Sequence, residues 1–272
     1  MSLAAEVETA SGPDSVVREM WGEWSKLRDI NPLAQLHAKF WRKSMADEEW
    51  RRPQKSVGDS PGGVTDESMD VDVDDDEIGP GSYILDIGIK GLSYSKIWIR
   101  ADYIRIYDYC NDHYNRSMSI FLLSNKKEAP SVVITGQPGI GKRSFRVGNF
   151  RLIWQAGKGK SVWIYYAVCR RLSEGKPVIW YRDQRRYLFV GAGVFETPKD
   201  FPSSYSKPFI WTFVDWDGGE DGVPSRLVTE GTRHFVIFTT SPCRKQWWRM
   251  RKTTNFTRAI MDPWIENEIL QV

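Results

Sequence analysis

Gly136, Gln137, Pro138, Gly139, Ile140, Gly141 and Lys142 stand in a row with types and spacing suited to holding a polyphosphate. They fit the first seven positions of the pattern G-x-x-x-x-G-K-[ST]. Glycines let successive backbone N–H groups turn inward around phosphate oxygens. The lysine brings a positive charge to the β- and γ-phosphates. A Ser or Thr hydroxyl then ligates Mg²⁺, and the helix that follows directs its positive end at the anion. The preceding residues 131–135, SVVIT, form the short apolar run expected of a buried parallel strand. A loop of this kind directly after such a strand is a fairly specific signal; the plain alternative is a glycine turn of similar composition.

The eighth position is Arg143, whose guanidinium offers no lone pair to a cation. The residues after it, SFRVGNFRLIWQAGKGK, lack the period of an amphipathic helix. That helix starts later, at Ser161, as SVWIYYAVCRRLSEG. Omitting the 18 residues 143–160 joins Lys142 to Ser161 and restores the full pattern. Omitting 141–158 leaves the same product, because Gly-Lys occurs on both sides. The segment is therefore an in-frame insertion. Two origins fit it: an unspliced intron retained in the coding sequence, or a genuine loop insertion. Closing a loop of this length costs on the order of 2.5 kcal/mol plus a constant. A sheet survives that cost more easily than a site that needs loop and helix contiguous around one anion. The segment also holds a local rival, WQAGKGKS, in which Trp154 replaces the first glycine.

Elements must hold these residues in place. VIWYR (178–182), YLFV (187–190), FIWTFV (209–214) and HFVIFTT (234–240) are strand candidates. Residues 161–173 form a helix, stopped by Gly175 with Pro177 beyond it. Strands alternating with helices and polar loops predict an α/β fold, a parallel sheet flanked by helices over residues 82–272. SYILDIGI suits a short strand, and KIWIRADYIRIYDYC suits either a strand or a helix from about Arg100 to Tyr114. Asp262-Pro263 opens a last helix. Upstream, residues 1–51 predict a helical hairpin after a disordered start. Its first helix is capped by Asp14 and carries Val16, Val17, Met20, Trp21, Trp24 and Leu27. Its second follows Asn31-Pro32 and carries Leu33, Leu36, Phe40, Trp41 and Met45. Residues 52–81 are rich in Pro, Gly, Ser, Asp and Glu and almost empty of large apolar side chains. They predict a disordered acidic linker, with Asp70, Asp72, Asp74, Asp75, Asp76 and Glu77 as its charged run.

Composition bounds the remaining classes. With 41% hydrophobic residues, a substantial core is available, and a net charge of +3 does not by itself indicate nucleic acid. Cys110, Cys169 and Cys243 are odd in number and widely spaced, which argues against a disulfide framework or a zinc site. No run reaches the ~18 apolar residues of a membrane span, and the start lacks the pattern of a secretory signal. The expectation is an intracellular protein, cytoplasmic or nuclear, away from membranes. His37, His113 and His234 are scattered singly and suggest no catalytic group.

PSVVITGQPGIGK, SVWIYYAVCRRL, PVIWYRDQRRYLFV, FIWTFVD and HFVIFTTSP together resemble a group of P-loop proteins abundant in mushroom-forming fungi, many of them similar to the ATPase-like part of Crinkler-type proteins. The resemblance runs from about Lys96 onward, outside the insertion. It implies Lys142 as the phosphate lysine and Ser161 as a Mg²⁺ ligand. Asp215, ending an apolar strand, becomes the carboxylate that holds Mg²⁺ through water; the carboxyl end of a parallel strand faces the ligand crevice in such folds. Thr240 becomes the polar strand-end residue that senses the γ-phosphate. The glutamate that often follows the Asp215 position is Trp216 here, so Asp217, or Glu220, would orient the attacking water. The basic run Arg244, Lys245, Arg249, Arg251 and Lys252, with Trp247 and Trp248, fits a γ-phosphate arginine or nucleic-acid contact, or simply a solvated helix face.

These residues predict a protein that binds ATP with Mg²⁺ and acts as a switch or motor, with a protein partner on its N-terminal helices. The main rival is a non-catalytic interaction scaffold with a degenerate nucleotide site. A small-molecule kinase would use the same loop, but no acceptor-binding signature accompanies it. An ATPase core of this kind commonly continues with another strand and a helical lid.

Overall fold

A computed structural model of the chain describes residues 25–43, 45, 50–51, 83–123, 131–136, 145–147, 150–152, 159–182, 184–197, 210–215, 234–240 and 256–263. Before the first long helix lie β1 (Ser25–Lys26), α1 (Pro32–Phe40), β2 (Trp50–Arg51), β3 (Tyr83–Asp86) and β4 (Lys96–Ile99). Then follow α2 (Ala101–Leu123), β5 (Ser131–Gly136), β6 (Phe145–Val147), β7 (Phe150–Leu152) and α3 (Gly159–Ser173). The chain continues through β8 (Val178–Arg182), β9 (Arg185–Val190), β10 (Gly193–Thr197), β11 (Ile210–Asp215), β12 (His234–Thr240) and β13 (Phe256–Met261).

The fold is α/β. Eight strands form one sheet in the order β1-β10-β9-β8-β11-β12-β5-β13. Five of them, β8, β11, β12, β5 and β13, are parallel. The other three extend the sheet as an antiparallel meander beyond β8. The predicted parallel sheet is thus one side of a mixed one. β2, β3 and β4 make a separate antiparallel sheet, and β6 with β7 an isolated hairpin.

Sequence patterning explains the layers. Every residue of α3 from Trp163 to Cys169 is buried, and a helix apolar all round must lie inside the protein. It packs between the main sheet and a second layer containing α1, α2 and β4. α2 presents Tyr103, Ile106, Tyr107 and Cys110 at helical spacing to this core, and the Trp163 indole donates to the Tyr103 carbonyl at 3.0 Å. Nearer solvent, Tyr107 donates to Glu174 at 2.8 Å and Arg170 to Asp108 at 2.8 Å. On the opposite face of the sheet, Val133, Val214, Val236 and Phe238 form a second buried cluster. Strands buried on both faces read as continuous apolar runs, as these did.

Several expectations change. Ser25–Lys26 pairs with Glu196 and Phe195 of β10, so a helix cannot run through to Leu27. The open ladder of β10 offers those two residues backbone partners, and tertiary pairing overrides helical spacing. Within the predicted hairpin, the second helix is observed as α1. Asn31 caps it, its side chain accepting from the Leu33 N–H at 2.9 Å, but it ends before Trp41 and Met45. The ambiguous segment is both of its alternatives in turn: 96–99 is strand, and the helix after Arg100 continues to Leu123. Asp262 and Pro263 directly follow β13; the body of the helix they are predicted to open, the first helix up to residue 24 and the acidic linker 52–81 lie outside the described residues. Among the described residues, no helix is long and apolar enough to cross a membrane.

Candidate functional site

β5 comes first among the parallel strands and lies between the last two, β12 and β13. The chain leaves β5 for β8, three places away on the β12 side, whereas it leaves β12 for β13 on the other side. Adjacent strands whose onward connections diverge in this way leave a crevice at their carboxyl ends. Gly136, Thr240 and Asp215 all end strands at this edge.

Asp215 is the centre of the arrangement. Pairing of β11 with β12 sets it level with Thr239. Two hydroxyls donate to its Oδ1: Ser161 at 3.0 Å and Thr239 at 3.4 Å. Ser161 lies in the first turn of α3, so this bond fixes the helix's N-terminal end against the strand edge across 54 positions of sequence. Lys160, directly before it, is half-buried. Burial lowers the Lys160 pKa from its ordinary value, and the negative charge of Asp215 works against that shift. Free N–H groups of a first helical turn and its positive dipole end face the same region.

A second group lies alongside. Arg182 ends β8 next to Asp215. Its guanidinium bonds the Tyr165 hydroxyl and, at 3.0 Å, Ser93 Oγ. It also stacks over Trp180, 5.4 Å from the ring centroid. Tyr94 meets Tyr165 edge-on at 5.1 Å. Burial, then the neighbouring charges of Tyr165 and Asp215, push the Tyr94 phenol well above its ordinary range, so it remains a neutral hydroxyl. The cluster combines one anion, two cations and several hydroxyls at the mouth of a parallel sheet.

The predicted residues distribute unevenly. Ser161 and Asp215 are brought together, and Gly136 ends β5 as its loop requires. Thr240 is buried level with Thr135 of β5, and its neighbour Thr239 donates a hydroxyl bond to Asp215. Gln137, Pro138, Gly139, Ile140, Gly141 and Lys142 lie outside the described residues, as do Trp216, Asp217, Glu220 and the basic run from Arg244 to Lys252. Thr239, Arg182 and Tyr94 were not predicted as site residues, and Lys160 entered only through the rival loop WQAGKGKS. For Lys160 a signal existed, the intact Gly159-Lys160-Ser161 triplet. For Arg182 and Tyr94 no spacing in the sequence points to Asp215.

A Mg²⁺ ion fits the donor set. It takes hard oxygen ligands and usually binds through one or two protein groups, substrate phosphates and water. Ser161 Oγ and Asp215 Oδ1 supply a hydroxyl and a carboxylate oxygen 3.0 Å apart. Among the described residues there is no cluster of three or more His, Cys, Asp or Glu that could form an all-protein metal cage. Cys110 and Cys169 are buried within the core. Compared with protein-family models, curated proteins and solved structures, the chain matches none.

Proposed function

We propose that this chain is a P-loop protein that binds ATP with Mg²⁺ and works as a nucleotide-controlled switch or motor, in keeping with its resemblance to the fungal Crinkler-type ATPase-like proteins. The observation that carries the reading is the Ser161–Asp215 hydrogen bond. It joins the first turn of the helix after the glycine-rich segment to the carboxyl end of an apolar strand. That is the pairing a nucleotide-bound cation requires, and it arises between residues singled out for that role in the sequence.

The roles follow from the chemistry. The glycine-rich residues after Gly136 and the N–H groups of the first turn of α3 surround the phosphates. Ser161 and Asp215 hold Mg²⁺, Asp215 through water, and Thr240 with its neighbour Thr239 lies toward the γ-phosphate. Mg²⁺, when bound, neutralises charge on the β- and γ-phosphate oxygens. For hydrolysis, water attacks the γ-phosphorus and the β–γ bridging bond breaks, leaving ADP and phosphate. Asp217 would orient that water, since the indole of Trp216 has no acceptor for its proton.

One observation favours a second reading. Trp216 occupies the position after Asp215, and a site without a water-orienting carboxylate binds nucleotide without turnover or serves as an interaction scaffold. Calorimetric titration of the full chain with ATP, with and without Mg²⁺, separates these. The proposal expects Mg²⁺-dependent binding that Asp215→Asn and Ser161→Ala each weaken about tenfold, or roughly 1.4 kcal/mol. A folded chain that takes up no nucleotide leaves only the scaffold.

A further inference from the structure

Two lysines compete for the phosphate. Gly-Lys stands at 141–142 and again at 159–160, on either side of the inserted segment. The geometry separates them. α3 begins at Gly159, and Ser161 is already fixed on Asp215 at 3.0 Å. Consecutive Cα atoms are about 3.8 Å apart, so the residue before Ser161 belongs to the same helical turn and the same edge. That residue is Lys160, half-buried and close enough to Asp215 for their charges to interact.

The pairing of lysine and hydroxyl has a physical reason. The hydroxyl serves the cation, and the amine serves the phosphate oxygens that the same cation bridges. The two groups must therefore reach one β–γ unit from neighbouring backbone positions. Lys142 lies 19 positions before Ser161 with the inserted segment between them, whereas Lys160 directly precedes it. Its four-carbon stem reaches roughly 6 Å from its Cα, estimated from standard bond lengths. It gives a flexible point charge suited to phosphate. The charge of Asp215 acts on this half-buried cation and favours its protonated form.

We infer that Lys160, within Gly159-Lys160-Ser161, is the phosphate-binding lysine of this chain, and that Lys142 is not. The phosphate loop is then a divided one. Gly136 at the end of β5 supplies one arm and the start of α3 the other, and the β6–β7 hairpin is carried between them. The inference rests on the nucleotide-binding reading above and assigns a residue within it.

The test uses the full chain, Mg²⁺ and ATP, with Lys160→Met and Lys142→Met compared by calorimetry. Methionine keeps an unbranched stem and removes the charge. Lys160→Met is expected to weaken binding at least tenfold and Lys142→Met less than twofold. The inference is overturned if Lys142→Met loses affinity, or if Lys160→Met keeps it. A wild-type chain that binds no ATP removes the nucleotide reading and this assignment with it, an outcome distinct from either variant result. A companion measurement needs no variant to fold: amine acetylation of the wild-type chain, read by mass spectrometry. Mg-ATP should protect Lys160 and leave Lys142 as reactive as before; the reverse pattern also overturns the assignment.

Discussion

Asp215 gathers two hydroxyl protons on one carboxylate oxygen, and the identity of the second donor shows where residue-level reading stops. Asp215 itself was legible, because a carboxylate directly ending an apolar run has few reasons to be there except a crevice at the strand's carboxyl end. Ser161 was legible from the restored pattern. The choice between Thr239 and Thr240 was not. Both hydroxyls end the same strand, and which one meets Asp215 depends on a register that shifts every side chain to the other face if it slips by one. Pairing of Asp215 with Thr239 decides it. At the far end of the same strand, His234 carries a prediction about pH. Its Nδ1 lies 2.9 Å from the Thr212 hydroxyl, and burial, then the charge of Arg186, push its pKa down to about 4 from 6.5. In the unfolded chain the ring takes its proton near 6.5, and in the folded chain only near 4. The unfolded state thus binds more protons between these values, and stability is lost as the pH falls through that window. The loss reaches about 3 kcal/mol below it. Urea unfolding between pH 7 and pH 4.5 should show this slope, and His234→Gln should flatten it. His37 and His113, both also lowered by burial, leave a residual slope. An unchanged slope in the variant would show that His234 is not the group responsible.

Elements with one clear period were legible, and those defined by their neighbours were not. β5, β8, β11 and β12 are short apolar runs, and α3 carries its stop signal with it. Gly175 ends that helix at φ +66, with its N–H bonded to the Leu172 carbonyl at 2.9 Å and the Lys176 N–H to the Arg171 carbonyl at 3.0 Å. Such a closing turn favours glycine, and a Cβ there would also come within 2.7 Å of Arg42 Cγ, where the chain after α1 crosses. Gly175→Ala should therefore destabilise the fold by about 1–2 kcal/mol, read as a lower denaturant midpoint at unchanged slope. A midpoint equal to wild type would mean that the turn relaxes without strain. β10 and β13 escaped notice for a different reason. In β13, Ala259 and Met261 are buried while Arg258 and Ile260 face outward, an alternation too short and too mixed to stand out. Its partner β5 defines it, and β5 lies 125 positions earlier in register, Phe256 opposite Ser131. The Asp262-Pro263 pair, read as a helix start, directly follows this strand, and the helix it would open lies outside the described residues.

For the whole molecule, the insertion is the feature with the largest leverage. It falls between β5 and α3 in the chain, so no strand of the main sheet lies within it. A chain lacking 143–160 places Lys142 directly before Ser161, in the position Lys160 holds in the full chain. It should fold to the same sheet, bind Mg-ATP at least as tightly, and gain on the order of 2 kcal/mol from the loop that no longer has to close. Calorimetry and thermal melting of the shortened chain check both parts. Loss of binding in a folded product would make the inserted residues part of the site. At the same carboxyl edge, just past β13, Arg100 donates to the carbonyls of Asp262 and Pro263 at 3.1 and 3.0 Å, and Asp102 accepts from the Asp262 N–H at 3.0 Å. Arg100 directly precedes α2 and Asp102 lies in its first turn, so together they bind the start of that helix to the chain just beyond β13. A pull on the chain after Pro263 is consequently borne first by α2, as a load on a cleat, before any rung between β13 and β5 has to part. The glycine-bearing strand beside it is thereby shielded from tension applied at that end.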